Sequence, residues 1–311
     1  MALTIGQIAA VSYPEVVAEN KKAANQWAES AFMRALEKLG GIDRRNLGEV
    51  IEAPLDYRRN PGAAFLATDL TPVSLAKTEV ITAASYDIAQ LSVPVVWSKM
   101  DDAKNPSENQ KIAFVKALLD NGIQSHDDLV EEALFTTSTN GFLGMATIIP
   151  TSGQGTVGGI DASTETFWRN PADTYLADGS DIEAVLTDLW NSATKGTGGM
   201  APKLLVSGDA ANSLFESTQV SLKRFMGVSK ADGGFESVAF KTAPYVFSQY
   251  GTDEIYGLNP KSFRLVVSKQ YFRDKGETRE TEDSNGFAFK IYSALQTITN
   301  NKSRLFVASE A

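Results

Sequence analysis

The side chain best suited to proton chemistry near neutral pH occurs once: His126 is the only histidine in the chain, and there is no cysteine. Any serine–histidine–aspartate relay, proton shuttle or multi-histidine metal site would have to be built on that one imidazole. It stands in Ser125-His126-Asp127-Asp128, where Ser125 and Asp128 have capping-box spacing, which predicts a place in the first turn of a helix and not in a catalytic centre. The lack of cysteine removes thiolate nucleophiles, disulfides and sulfur-based zinc sites, and suits a reducing compartment.

Three other patterns could carry chemistry. Gly153-Gln154-Gly155-Thr156-Val157-Gly158 has the spacing with which a dinucleotide pyrophosphate is cradled between a strand and a helix N-terminus. Pro150 precedes it and Gly159-Ile160-Asp161-Ala162 follows without a helical face, so it predicts a flexible surface loop, with a nucleotide-dependent oxidoreductase as the remote alternative. Lys203-Leu204-Leu205-Val206-Ser207-Gly208 leads a strand into a serine but lacks the glycine two residues before it. Ser207-Gly208-Asp209 reads instead as a strand end and helix cap. The acidic pairs Asp101-Asp102, Asp127-Asp128 and Glu131-Glu132 could bind a divalent cation, but none has the spacing of a calcium loop. They read as solvated helix faces, two near helix starts and Glu131-Glu132 on a polar side. Trp168 reads as a core anchor, with an interface role as the alternative. No catalytic residue, cofactor or metal site is expected, and the chain is not read as an enzyme.

The elements that would position these residues follow from composition and periodicity. With 311 residues, 43% hydrophobic and 22% charged, the chain can bury a large core without metal or disulfide. A net charge of -9 argues against tight gripping of phosphates. The N-terminus has no basic flank before an apolar run, and no stretch approaches the roughly 18 apolar residues of a membrane span, so a soluble, unsecreted chain is expected.

From Pro14 to Leu39, Val17, Trp27, Ala31, Phe32, Ala35, Leu36 and Leu39 fall largely at helical spacing. This amphipathic helix has one apolar stripe that needs a partner surface, which makes Trp27 and Phe32 candidate contacts between copies. Residues 51–62 read as a short extended run ending in the Asn60-Pro61-Gly62 turn and residues 78–97 as a second extended run, together the arms of a long hairpin with Pro94 at a sheet edge or bend. Its tip holds Arg58, Arg59, Phe65 and Leu66; the two large apolar groups would lie in water on an isolated hairpin, so the tip is a second candidate contact. Residues 106–136 predict one long broken helix or two in tandem, with Gly122 as a stop and Ser125 as a second cap. A glycine-rich stretch from Gly141 to Ile160 follows. Then come a helix from the Ser180-Asp181-Ile182-Glu183 box, a strand at 203–207, a short helix at 209–215, and mostly strand from Ser237 to Ala308. The class is α+β, without repeats.

Taken in order, these elements resemble the major capsid proteins of tailed bacteriophages that share the Hong Kong 97 fold. Ala84-Ser85-Tyr86-Asp87-Ile88 resembles the second strand of that family's E-loop, and Asn105-Pro106-Ser107-Glu108 the start of its spine helix. The passage from Val157-Gly158-Gly159-Ile160-Asp161 to Trp168-Arg169-Asn170 is the most specific piece. Tyr256-Gly257-Leu258-Asn259-Pro260 and Thr297-Ile298-Thr299-Asn300-Asn301-Lys302 are similar to the final turns and strand. The resemblance implies an N-terminal arm at 1–50, an E-loop at 51–98, a peripheral domain at 99–170 and 261–311, and an axial domain at 171–260. It further implies a subunit that self-assembles through hexamers and pentamers into an icosahedral shell around double-stranded DNA, without sequence-specific DNA binding and without a membrane. Scaffolding, portal and decoration proteins would be further partners, with assembly in the host cytoplasm and the virion as the final location. An encapsulin-type compartment is the alternative.

Overall fold

The computed structural model describes residues 30–56, 63, 65, 81–105, 107–194, 201–221, 229–231, 235–237, 239–280 and 285–311. The predicted helix before Ser30, with Trp27, lies outside these residues, as do Arg58, Arg59 and Leu66 of the hairpin tip.

The first half of the chain carries α1 (Ala31–Lys38), β1 (Ile42–Arg45), β2 (Val50–Asp56), β3 (Ile81–Asp87), β4 (Ala89–Ser98), α2 (Lys99–Lys104) and α3 (Glu108–Phe135). Short pieces follow: β5 (Ser138–Thr139), β6 (Phe142–Leu143), α4 (Met145–Ile148), β7 (Thr156–Val157) and β8 (Ile160–Asp161). The second half carries β9 (Ala172–Tyr175), α5 (Ile182–Thr194), β10 (Leu204–Ser207), α6 (Asp209–Ser221), β11 (Ser229–Ala231), β12 (Phe235–Ser237), β13 (Ala239–Phe240), β14 (Ala243–Phe247) and β15 (Ile255–Leu258). It closes with β16 (Phe263–Ser268), β17 (Asp274–Lys275), β18 (Arg279–Glu280), β19 (Gly286–Thr299) and β20 (Phe306–Glu310).

Two six-stranded sheets organise these elements. In the first, β19 is central: β16, β17 and β18 pair antiparallel along one edge and β4 along the other, and β1 adds parallel to β16. In β4, Val93, Val95 and Trp97 are buried while Ser92, Pro94 and Val96 between them are exposed, the alternation of a strand covered on one face. Pro94 faces Lys290 on a strand with no second neighbour among the described residues, where its missing N–H leaves no ladder bond unmade. Helix α3 covers the sheet: Val115, Leu119 and Ile123 join Val93, Val95, Trp97, Phe289 and Ile291 in one apolar cluster.

The second sheet runs β13-β14-β10-β15-β20-β9 and is covered on both faces. All of β10 is buried, with Leu204 and Val206 turned to the main core and Leu205 to the cluster formed with α5 and α6. A strand without a polar side reads as a continuous apolar run.

Several expectations need correction. Residues 108–135 form one helix: Gly122 is no stop and Ser125 no cap. An added Cβ at Gly122 would lie 3.0 Å from Val95 Cγ2 and 3.3 Å from Ile291 Cδ1, so glycine there permits close approach of helix to sheet. Phe32 is buried in the chain's own core, edge-on to Phe135 at 5.3 Å. The roughly 1.5–3 kcal/mol of its burial is therefore already gained within one chain, and no contact with another copy is needed to cover it. Three strands also pair across the expected boundaries. Strand β1, placed with the N-terminal arm, and β4, placed with the E-loop, both belong to the first sheet. Strand β20, placed in the peripheral domain, pairs with β15 and β9 in the second.

Candidate functional site

The hairpin expected from the sequence is β2–β3, paired in register from Val50↔Asp87 to Asp56↔Ile81. Ile51, Ala53, Leu55, Ala84 and Tyr86 point to one face and are buried in the main core. Its base thus lies on the core of its own chain. Tyr86 fixes this base: its hydroxyl donates to the Thr299 carbonyl at 2.7 Å, and burial raises the phenol pKa beyond its ordinary value. Phe65, between the two strands in sequence, is fully exposed.

A second support comes from the glycine-rich passage. It is not a flexible loop but a tight hairpin, β7–β8, turned by Gly158 and Gly159 at φ +62° and +77°. Both residues of such a two-residue turn need positive φ, which is why glycine occupies both. The Gly158 carbonyl accepts from Ser85 N–H at 3.0 Å, and an added Cβ at Gly158 would meet Ala84 Cβ at 2.6 Å. The glycines that imitate a dinucleotide fingerprint therefore bring this hairpin against β3, and no helix N-terminus follows them. Trp168 is buried, as expected of a core anchor, and donates from its indole to the Val157 carbonyl at 3.1 Å. Arg169 donates to the Ala162 and Ser163 carbonyls, and Asn170 to that of Pro150 at 3.0 Å. The passage from Gly158 to Asn170 is thus a self-wired brace.

The chemistry-bearing residues lie elsewhere. His126 sits in the interior of α3 and is fully buried, not in a first turn. Its Nδ1 is 2.9 Å from Asp127 Oδ1 and its Nε2 is 2.8 Å from Ser293 Oγ on β19. These are the distances of a hydrolase relay, yet the hydroxyl is shut in. Ser293 is buried and its Oγ already accepts from Arg273 N–H at 2.9 Å. Both Asp127 oxygens are held by Arg273, at 2.6 and 2.7 Å, which neutralises the carboxylate a triad would use. Burial lowers the ring's pKa, against the pull of Asp127 in the other direction. Arg273 is a buried cation at φ +53°; nothing in Tyr271-Phe272-Arg273-Asp274 marks it in sequence.

Of the acidic pairs, Asp101 caps α2 reciprocally with Ser98, whose bonds lower its pKa. Asp127 belongs to the histidine centre. Glu131 is buried and accepts from Ser248 Oγ at 2.5 Å, so it is not on a polar face. Ser207 ends β10 and shares its hydroxyl with Tyr245 at 2.8 Å and the Gly208 carbonyl. Lys302 is buried with no hydrogen-bond partner for Nζ among the described residues, and burial lowers its pKa to about 8. The sequence-derived residues are thus not gathered into one site: they are split among a hairpin base, a brace and an interior latch.

No protein-family model and no curated protein matches the chain. Solved structures do. A subunit of the cyanophage A-1(L) capsid asymmetric unit superposes with a TM-score of 0.61 at 15% identity, over 93% of this chain and 94% of that one. The chain has the Hong Kong 97 capsid fold. The capsid of a native GTA particle gives a TM-score of 0.59 at 11% identity over 89% and 90% of the two chains. The holo-SrpI encapsulin complex of Synechococcus elongatus PCC 7942 gives 0.54 at 10% over 94% of each. At these identities the Hong Kong 97 fold is carried by topology and burial, with few residues in common.

Proposed function

We propose that the chain is the structural subunit of an icosahedral capsid shell that self-assembles around phage double-stranded DNA. The observation that carries this reading is the likeness to capsid subunits over about nine-tenths of both chains. It is supported by a hairpin whose base is braced on its own chain while Phe65 toward the tip stands in water. Burial of one such side chain against a neighbour is worth roughly 1.5–3 kcal/mol, and a closed shell repeats the contact in every copy. Arg58, Arg59 and Leu66 at the tip, together with Trp27, are proposed to lie in the same contacts. The first sheet with α3 would form the peripheral domain and the second sheet the axial domain. The net charge of -9 suits a wall that encloses DNA without adhering to it.

The test is to replace residues 59–74 by a short Gly-Ser turn and examine both proteins by light scattering and negative-stain microscopy. The unaltered chain should form rings or shells; the variant should be folded and soluble but should not close. Shells of normal size from the variant, or a strict monomer from the unaltered chain across salt and concentration, would overturn the proposal. An encapsulin-type compartment is the second reading, favoured by the likeness to the SrpI complex. Nuclease-protected DNA inside purified shells decides for the first, and a co-purifying enzyme for the second.

A further inference from the structure

The only histidine of the chain ties the middle of α3 to the centre of the first sheet, through a network whose described hydrogen bonds suit the neutral imidazole. With Nδ1–H donating to Asp127 and Nε2 accepting from the Ser293 hydroxyl, both ring nitrogens have a partner among the described residues. Ser293 Oγ also receives Arg273 N–H, and Arg273 Nη2 donates to both oxygens of the Asp127 carboxylate. Among the described residues, the charged groups facing the ring are Asp127 from its own helix and Arg273 from the segment between β16 and β17. The side chain from β19 is the neutral Ser293, and Phe272 meets the ring edge-on at 5.6 Å. A proton added at Nε2 would meet the Ser293 hydroxyl hydrogen, and the hydroxyl would have to turn away from the ring toward a new acceptor. It would also place a second cation beside Arg273, in a buried setting where charge is poorly solvated.

We propose that His126, Asp127, Arg273 and Ser293 form a proton-sensitive latch that holds the C-terminal half of α3 on the first sheet when the imidazole is neutral and loosens it on protonation. The latch lies within one chain and operates whether or not copies assemble.

The sign follows from linkage. Burial places the folded ring's pKa below the ordinary histidine value near 6.5, so between the two the opened chain binds the extra proton. Closure is at full strength above the ordinary value and weakens as pH falls through that window, by up to about tenfold per pH unit for one proton. Below the folded pKa the loss is complete.

Two measurements on the full chain test this. Exchange of the imidazole Cε1 hydrogen with deuterium, read by mass spectrometry, titrates the single ring in any assembly state; a midpoint at or above 6.5 would overturn the proposal. Amide exchange corrected for intrinsic rates should show protection of residues 123–135 and 286–299 falling severalfold or more between pH 7.5 and 5.5. In His126→Gln and His126→Phe that pH dependence should be lost whatever the absolute protection, and should return in neither. The same dependence in both variants would assign the effect to carboxylates, and its absence in the unaltered chain would sink the latch.

Discussion

Gly122→Ala in α3 sets two effects of opposite sign against each other. Alanine is preferred to glycine in a helix interior by about 1 kcal/mol. The added methyl, however, would lie 3.0 Å from Val95 Cγ2 and 3.3 Å from Ile291 Cδ1, against roughly 3.5–4.0 Å for an optimal carbon contact. Val95 is β-branched, so its methyl does not turn away cheaply, and both neighbours are buried in the cluster between helix and sheet. Lifting α3 or pushing back β4 by about half an ångström is overpacking, which costs about 1–3 kcal/mol. The expected net effect is a loss of about 1 kcal/mol, or roughly 2 °C in Tm for a chain of this size. The assay is urea unfolding followed by tryptophan fluorescence, since Trp97 is buried in the same cluster. Val95→Ala removes the methyl that is struck, so adding Gly122→Ala to Val95→Ala should be stabilising by about 1 kcal/mol. If Gly122→Ala alone gives the full gain, with no coupling to Val95→Ala, the helix is not pressed on the sheet there.

Three further outcomes are expected. Gly158→Ala, at φ +62° and with its Cβ 2.6 Å from that of Ala84, should separate the glycine-rich hairpin from β3. Proteolysis of residues 50–87 should then quicken, and unchanged rates would argue against the brace. Asp127→Asn takes away the carboxylate facing the buried Arg273 guanidinium and should cost about 3–5 kcal/mol in urea unfolding; a loss under 1 kcal/mol would mean the pair is solvated. Lys302→Met should be stabilising by up to about 3 kcal/mol near pH 7, because a lysine of pKa about 8 in the fold and near 10.4 when unfolded is held charged at a cost. That cost is full below pH 8 and gone by about 10.5, so the two proteins should converge as pH rises through this window; a constant difference would refute it.

Much of the architecture is legible locally. Alternation in 93–97 and the continuous apolar run at 204–207 give strands because the side-chain period of two shows directly in the residues. Ser107 before Glu108 begins α3, and Ser207-Gly208-Asp209 ends β10 and opens α6, since caps and stops act over one turn. The low charge, absent cysteine and lone histidine narrowed the chemistry without reference to any neighbour. The order of elements pointed to the Hong Kong 97 fold.

Tertiary structure decided what a residue's type leaves open. Glycine serves both a helix stop and a close approach, and only the sheet beneath Gly122, with Val95 and Ile291, selects the second. The capping spacing of Ser125 and Asp128 is real, but α3 runs through it because burial on β4 and β19 outweighs a local preference of about 1 kcal/mol. Phe32 carries an apolar stripe that could meet any surface; it met Phe135 of its own chain. Strand β20 has nothing in sequence to choose its sheet, and pairs with β15 and β9 because partners are set by register across distant segments. The histidine centre joins residues 126 and 127 to residues 293 and 273 across separations of 167 and 146 positions. Those contacts exist only once the chain has folded back on itself, so no local pattern could display them.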